Sequence, residues 1–201
     1  MRGRLAAALA TGALMAGCAS AGPSPATGRS LPRPPSTTEL VARAGLDRCP
    51  QLPAAGTRAA AVSGALPDIE LRCLGAGPAV RLGALQGRPA VVNLWAAWCD
   101  PCRKEAPAFQ RLHASAAGRV WVLGVLTEDT DRDALDAAAH LRIHYPSVVD
   151  PDGRLKAWTG VPGLPVTYFV EASGRAHRYV GPALSYDALR KLVALHLGVR
   201  L

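Results

Sequence analysis

Two cysteines three positions apart, Cys99 and Cys102, are the residues of this 201-residue chain whose type and spacing could most directly do chemistry. They follow an apolar run at 90–95 and precede a helical pattern at 101–116, so they are expected at a strand-to-helix junction. The free backbone N–H groups of a helix start favour the thiolate, which is the species that attacks a disulfide. Cys102, one turn further in, could then resolve a mixed disulfide formed on Cys99, so the spacing predicts a redox pair.

A zinc half-site is the main alternative for two cysteines at this spacing. Zinc needs a second pair of ligands, and the other candidate cysteines, Cys49 and Cys73, are 24 positions apart without a companion motif. His140 and His144 share one predicted helix face but have no cysteine beside them, and we interpret them as surface or boundary histidines. No metal and no cofactor is predicted.

Strand-like and helix-like segments alternate around the cysteine pair. The apolar runs at 90–95 and 120–126 predict buried strands, and 131–143 predicts an Ala-rich helix with acidic residues in its first turn. A hairpin signal at 172–175 and a final helix from Ser185 complete the order strand, helix, strand, helix, strand, strand, helix. This order predicts an α/β fold whose sheet is covered by helices.

Two stretches resemble one known family. Residues 91–107 read VVNLWAAWCDPCRKEAP and resemble the active-site stretch of the thioredoxin fold, in particular that of the TlpA/ResA-like extracytoplasmic thiol-disulfide oxidoreductases. Residues 160–170 read GVPGLPVTYFV and resemble the cis-proline loop of that fold. The resemblance, which runs from about residue 67 to the C-terminus, implies a central mixed sheet with helices on both faces and an N-terminal extension with extra short strands. It also implies an enzyme that exchanges disulfides.

The substrate-facing residues are expected around the cis-proline. By the resemblance, Pro165, preceded by Leu164, is the cis-proline that packs beside the redox cysteines and presents an extended edge to the substrate. Pro162 is the competing candidate. Trp98 is expected at the substrate-facing surface of the site, with simple core packing as the alternative.

A buried acid is expected near the pair. Cytoplasmic thioredoxins carry an aspartate beneath the active site where this chain has Asn93, which cannot titrate. Glu105 matches an acidic residue of the TlpA/ResA-like proteins, and if burial raises its pKa it could relay protons to and from the cysteines. A surface glutamate paired with an arginine is the alternative interpretation.

Asp100, between the two cysteines, bears on the direction of electron flow. A negative charge beside Cys99 opposes the thiolate and favours the disulfide, so the pair is expected to act as a reductant. A disulfide-forming oxidase of exported proteins is one alternative, and a non-enzymatic copper-binding lipoprotein is another. No peroxidatic cysteine stands apart from the CxxC motif, which disfavours a peroxidase.

The first 17 residues have the pattern of an export signal. A basic start precedes an uncharged run at 5–16 that is too short to span a bilayer. Residues 14–18, LMAGC, resemble the lipobox of bacterial lipoproteins, so Cys18 is the expected lipidation site. Met15 departs from the usual leucine, and ordinary signal-peptidase cleavage nearby is the alternative.

Residues 18–45 are expected to form a lipidated flexible tether, because 20–38 is rich in Pro, Ser, Gly, Thr and Ala without apolar periodicity. A helix-compatible stretch at 39–44 leads into a thioredoxin-like domain at 46–201. The expected location is therefore outside the cytoplasm, anchored to the outer face of the cell membrane, with secretion as the alternative.

The cysteine count of five, an odd number, agrees with this organisation. In an exported protein Cys49 and Cys73 are expected to form a structural disulfide. A second redox pair is the alternative, and it would need activating surroundings. Lipidation of Cys18 then accounts for the odd cysteine.

The basic excess is not a sign of nucleic-acid binding. Residues 1–48 carry half of the formal net charge of +8, and no basic run is interleaved with aromatic residues. The expected partners are thiols or disulfides of exported proteins, such as apocytochrome c or another thiol-disulfide enzyme, together with a membrane electron donor.

Overall fold

The structure is a computed structural model that describes residues 33–52 and 62–201. The signal peptide, Cys18 and the first part of the tether predicted from the sequence lie outside these residues. The elements in chain order are α1 (Thr37–Ala44), β1 (Glu70–Cys73), β2 (Val80–Arg81), β3 (Ala90–Trp95), α2 (Asp100–Ala116), β4 (Trp121–Thr127), α3 (Asp131–Leu141), β5 (Ser147–Asp150), α4 (Arg154–Thr159), β6 (Val166–Val170), β7 (Ala176–Tyr179) and α5 (Tyr186–Leu197). Among the described residues, no helix is both long enough and apolar enough to cross a bilayer.

The strands form one mixed sheet in the order β2-β1-β5-β4-β3-β6-β7. The neighbours β3, β4 and β5 run parallel, and the other pairings are antiparallel. The two short N-terminal strands extend one edge of the sheet, and β3 lies inside it. This arrangement confirms the predicted α/β class, the mixed sheet and the extra short strands.

The two faces of the sheet bury separate apolar clusters because side chains alternate along each strand. On β3, Val91 and Trp95 belong to the cluster that α1, α2, α3 and α5 cover. Val92 and Leu94 point to the opposite face, where Leu155 of α4 joins the second cluster. Helices therefore cover both faces, as the resemblance implied, and α2 packs on the sheet at β4 and contacts β3 through Asn93.

The short helix α1 belongs to the compact unit and not to a tether. Ser36 and Glu39 form a capping box at its start, which satisfies free backbone N–H groups. Leu40 and Ala44 are buried, and Arg43 pairs with Asp136 of α3. The compact unit therefore begins before residue 46, since burial of one face of this helix outweighs the polar composition around it.

The end of α3 differs from the expectation. Arg142 takes a left-handed conformation, with φ of 54°, and ends the helix after Leu141. His144 lies beyond this cap, so the prediction that His140 and His144 share one helix face is wrong. Both side chains are exposed, and each contacts a main-chain oxygen.

Candidate active site

The start of α2 positions the two cysteines. Cys99 is the N-cap residue, and its Sγ accepts a hydrogen bond from the backbone N–H of Cys102 at 3.2 Å. The two sulfur atoms form a disulfide with an S–S distance of 2.03 Å. Pro101 stands in the first turn, where a missing N–H costs nothing. Once the disulfide opens, the helix N-terminus can stabilise a thiolate on Cys99, although only 4% of this residue is exposed.

The loop after β4 holds the residues that precede Cys99. The backbone N–H of Ala97 donates to Asp129 Oδ2 at 2.6 Å, and the Trp98 Nε1–H donates to the Glu128 carbonyl oxygen at 3.1 Å. The Trp98 ring is 57% exposed despite this hydrogen bond, so a substrate can reach its face. Glu128 and Asp129 were not predicted from the sequence; the signal that could have found them is that parallel β3 and β4 end at the same sheet edge.

The cis-proline loop lies beside the same edge. The described residues contain one cis peptide bond, between Leu164 and Pro165. The next residue, Val166, begins β6 and pairs with Leu94 near the end of β3. Leu164 packs against both apolar clusters and is half-buried, whereas Pro162 is exposed.

Glu105 lies in the core beneath the cysteines, with only 1% of the residue exposed. Its Oε1 accepts from Asn93 Nδ2 at 2.8 Å, and its Oε2 accepts from the backbone N–H of Leu184 at 3.0 Å. Burial raises the pKa of Glu105 to about 7, and the hydrogen bonds from Leu184 and Asn93 oppose that rise. The alternative of a surface glutamate paired with an arginine is wrong, because this position of α2 faces the sheet.

A short polar chain crosses the core at this point. Asn93 Nδ2 also contacts Thr167 Oγ1 at 3.2 Å, since Asn93 and Thr167 are directly paired on β3 and β6. Tyr145 is fully buried nearby; burial first, and then the negative charge of Glu105, raise the pKa of its hydroxyl. Glu105 is therefore the group of this cluster that can exchange a proton near neutral pH.

The second pair of cysteines is bonded away from α2. Cys49 and Cys73 form a disulfide with an S–S distance of 1.98 Å that ties the segment after α1 to β1. The backbone N–H of Cys49 donates to Ala76 O at 2.9 Å. Gly77, with φ of 125°, packs so closely that a Cβ there would lie 2.7 Å from the Cys49 nitrogen. The turn at 76–77 therefore packs closely against Cys49 of the disulfide.

Metal ligands are not clustered in the described part of the chain, where no group of three or more His, Cys, Asp or Glu side chains is placed to hold an ion. The site itself combines the Cys99–Cys102 disulfide, a helix N-terminus and one buried carboxyl group. These three parts suffice for thiol-disulfide exchange.

Residues 62–177, more than half of the chain, match the AhpC/TSA family. The chain belongs to this family. Among its curated relatives, the thiol-disulfide oxidoreductase ResA of Oceanobacillus iheyensis is 30% identical over 132 residues, which are 64% of this chain and 69% of ResA. The thiol:disulfide interchange protein DsbE of Pseudomonas fluorescens biotype C is 38% identical over 99 residues, 48% of this chain and 54% of DsbE. The chain thus spans between about half and two thirds of these relatives.

One solved structure is similar to this chain in fold. A secreted Mycobacterium tuberculosis disulfide oxidoreductase, described as homologous to Escherichia coli DsbE, superposes with a TM-score of 0.57 at 28% identity. The match covers 64% of this chain and 96% of that protein. The predicted thioredoxin fold and the predicted class of enzyme, a thiol-disulfide oxidoreductase, are confirmed.

Proposed function

We propose that this protein is a membrane-anchored, extracytoplasmic oxidoreductase that reduces disulfides of exported proteins through Cys99 and Cys102. The observation that carries the proposal is the placement of this pair at the start of α2 with the buried carboxyl of Glu105 one turn further along the same helix. A redox pair with its own internal proton acceptor can complete both halves of a disulfide exchange.

The first step forms a mixed disulfide. The Cys99 thiolate attacks one sulfur of the substrate disulfide, a new S–S bond forms, and the second substrate sulfur leaves as a thiolate that takes up a proton. The exposed Trp98 ring and the cis-proline segment at Leu164–Pro165 are suited to hold the substrate chain during this step. Substrate contact on Trp98, Leu164 and Pro165 is part of the proposal.

The second step releases the reduced substrate. Cys102 loses its proton and attacks Cys99 Sγ, the mixed disulfide breaks, and the remaining substrate sulfur leaves as a thiolate. Two electrons pass from the cysteine pair to the substrate. Glu105 accepts the Cys102 proton; a pKa of about 7 allows it to take and return a proton at neutral pH. Asn93 cannot titrate, so it serves to orient the Glu105 carboxyl.

The reducing direction rests on negative charge near the pair. Asp100 is exposed between the two cysteines, and Asp129 accepts from the backbone two residues before Cys99. Both carboxylates oppose a thiolate on Cys99 and thereby favour the disulfide form of the protein, which makes the dithiol form a better reductant. Disulfide formation in exported proteins is the opposite direction of the same exchange.

The proposed location and partners of this protein are inferred from its sequence and from the proteins it resembles. The lipobox-like residues 14–18 support an acyl anchor on Cys18, and one structural neighbour is described as secreted. Exported proteins with reducible disulfides, among them apocytochrome c or another thiol-disulfide enzyme, are the proposed substrates. A membrane electron donor would return the Cys99–Cys102 disulfide to its dithiol form.

Trapping of mixed disulfides tests the proposal. In Cys102→Ser the resolving thiol is absent, so substrates should remain disulfide-bonded to Cys99. These adducts should appear on a non-reducing gel and disappear when a reductant is added. The matched control Cys99→Ser should trap nothing, and wild-type dithiol protein should reduce insulin. Stoichiometric copper retention without insulin reduction, or equal trapping by both variants, would contradict the proposed function.

A further inference from the structure

Cationic side chains collect on the side of the molecule formed by α2 and α5. Arg111 and Arg190 flank the ring of Tyr186, with guanidinium carbons 4.1 Å and 5.9 Å from its centroid. Arg119 Nη1 donates to the main-chain oxygen of Arg200 at 2.8 Å, which brings the C-terminal segment to the end of α2. With the neighbouring Lys191, these residues form what we call the basic patch: Arg111, Arg119, Arg190, Lys191 and Arg200.

An open hollow of about 460 Å³ lies within the basic patch, between α5 and the C-terminal segment. One acidic side chain, Asp187, is present in its lining, and it lies 3.9 Å from Arg190. The positive charges around the hollow therefore outnumber the carboxylate side chains. The lining consists of Asp187, Arg190, Lys191, Ala194, Arg200 and Leu201.

Some cations outside the basic patch are paired with carboxylates. Arg43 and Arg72 each pair with a carboxylate of α3, and Lys156 pairs with Glu128 at 2.6 Å. Four residues of the basic patch have no carboxylate within 4.0 Å among residues 33–52 and 62–201, as is also true of Arg132 and Arg142 on and beside α3; the four are Arg111, Arg119, Lys191 and Arg200. No side-chain carboxylate of the described residues neutralises these four charges, although the Arg119 guanidinium donates to three main-chain oxygens.

An exposed leucine adjoins these cations. Leu195 is 73% exposed and lies four residues after Lys191, so both side chains are on one face of α5. Ala194 lines the hollow beside them. Basic side chains next to an exposed large apolar side chain are typical of surfaces that contact the interface of an anionic membrane.

We propose that the basic patch, together with Leu195, docks on anionic phospholipid headgroups at the membrane surface. Headgroup phosphates supply the negative charge that the four unpaired cations lack, and the Leu195 side chain can enter the boundary between headgroups and acyl chains. The contact goes beyond the anchor proposed at Cys18. An acyl chain on a tether keeps the domain near the membrane, whereas the basic patch orients it.

The orientation follows from the direction of α2. Arg119 Nε donates to the carbonyl oxygen of Ala116, the last residue of the helix, so the patch lies at the C-terminal end of α2. Cys102 lies 14 positions before Ala116, which is about 20 Å along the helix axis at the usual rise per residue. Docking through the patch holds the Cys99–Cys102 disulfide away from the lipid, where exported proteins can reach it. Reduction of the Cys99–Cys102 disulfide by a membrane-embedded donor then requires the basic patch to dissociate from the lipid headgroups.

Vesicle partitioning of the full chain tests the docking. Every protein carries Cys18→Ser, so no acyl chain can be attached at position 18, and partitioning is compared between pure phosphatidylcholine vesicles and vesicles with equal parts phosphatidylglycerol. Lys191→Glu/Arg200→Glu is compared with the matched control Arg132→Glu/Arg142→Glu on and beside α3, which changes the net charge equally. Any membrane affinity of the first 17 residues is common to all three proteins.

The patch variant should lose at least tenfold of the phosphatidylglycerol-dependent partitioning, since each Lys or Arg near an anionic surface contributes about fivefold. The control should change less than threefold, and high salt should release the unmodified protein. Insulin reduction should be unchanged in the patch variant, which checks that this variant folds. If Lys191→Glu/Arg200→Glu fails to fold, the milder variant Lys191→Gln/Arg200→Gln is used in its place. Equal losses in both variants, or no loss in the patch variant, would overturn the docking surface and leave the proposed redox function standing.

Discussion

The side-chain amide of Asn93 donates a hydrogen bond of 2.8 Å to the carboxyl of Glu105, 12 positions later in the chain. This contact joins the central strand β3 to the active-site helix α2 inside the core. It stabilises the charged form of Glu105 against the effect of burial, and it keeps one carboxyl oxygen facing the sheet. The proton chemistry of the site depends on this pair.

Replacing Glu105 with Gln should change the pH profile of disulfide exchange. A pKa of about 7 implies that wild-type exchange rises as Glu105 ionises near neutral pH, because only the carboxylate can accept the Cys102 proton. The variant should lose this rise and, above neutral pH, on the order of 100-fold in the resolving rate. Stopped-flow insulin reduction across the neutral range measures it. Glu171→Gln, directly after β6 and half-buried, is the control, and an unchanged profile in Glu105→Gln would contradict the relay.

The same carboxyl should make stability fall as pH rises. The folded pKa of about 7 lies above the ordinary value of 4.5, so the folded state binds the proton more tightly than the unfolded state. The stabilisation is complete below 4.5 and is lost between 4.5 and about 7, on the order of 3 kcal/mol in total. Denaturant unfolding across this window should show a negative slope that Glu105→Gln removes. A slope that persists unchanged in the variant would assign it to other groups.

Removing the Cys49–Cys73 bridge should cost stability and leave exchange intact. The bond closes a loop with a sequence separation of 24, which corresponds to about 3 to 4 kcal/mol by loop entropy. Cys49→Ser/Cys73→Ser should therefore unfold at lower denaturant concentration yet reduce insulin at the wild-type rate. Loss of exchange in a folded double variant would point to a second redox pair.

Gly124 on β4 should not tolerate even a methyl group. A Cβ at this position would lie 2.8 Å from Trp95 Nε1 and would also collide with Ser147 Oγ. Gly124→Ala should therefore destabilise the fold by about 1 to 3 kcal/mol. The matched control is Gly163→Ala, where a Cβ meets nothing within 4 Å, and it should stay within about 0.5 kcal/mol. Thermal unfolding of the two variants measures the difference; equal effects would contradict the close packing.

Neutralising Asp100 should make the redox pair more oxidising. Asp100→Asn removes a negative charge beside Cys99, which favours the thiolate and hence the dithiol form. The reduction potential, measured against glutathione, should become less negative, and low salt should enlarge the effect because Asp100 is exposed. Asp152→Asn, another exposed aspartate, is the control. An unchanged reduction potential in Asp100→Asn would show that Asp100 does not contribute to the reducing character of the cysteine pair.

The sequence alone determined the parts of this protein that depend on neighbouring residues. Apolar runs, helix starts and the position of Cys99 and Cys102 at a strand-to-helix junction are local patterns, because hydrogen-bond periodicity and capping act within a few residues. The motif around Pro165 is local as well. These patterns sufficed to predict the α/β sheet and the class of enzyme.

Only the tertiary structure decided which polar groups surround the cysteines. From the sequence, Glu105 fitted a surface ion pair as well as a buried acid; its partners Asn93 and Leu184 lie 12 and 79 positions away, and burial follows from the packing of α2 on β3. The Asp129 contact with Ala97 spans 32 positions and forms because parallel strands end at the same edge. Desolvation and hydrogen bonding set a pKa, and both depend on contacts between segments that are distant in the chain.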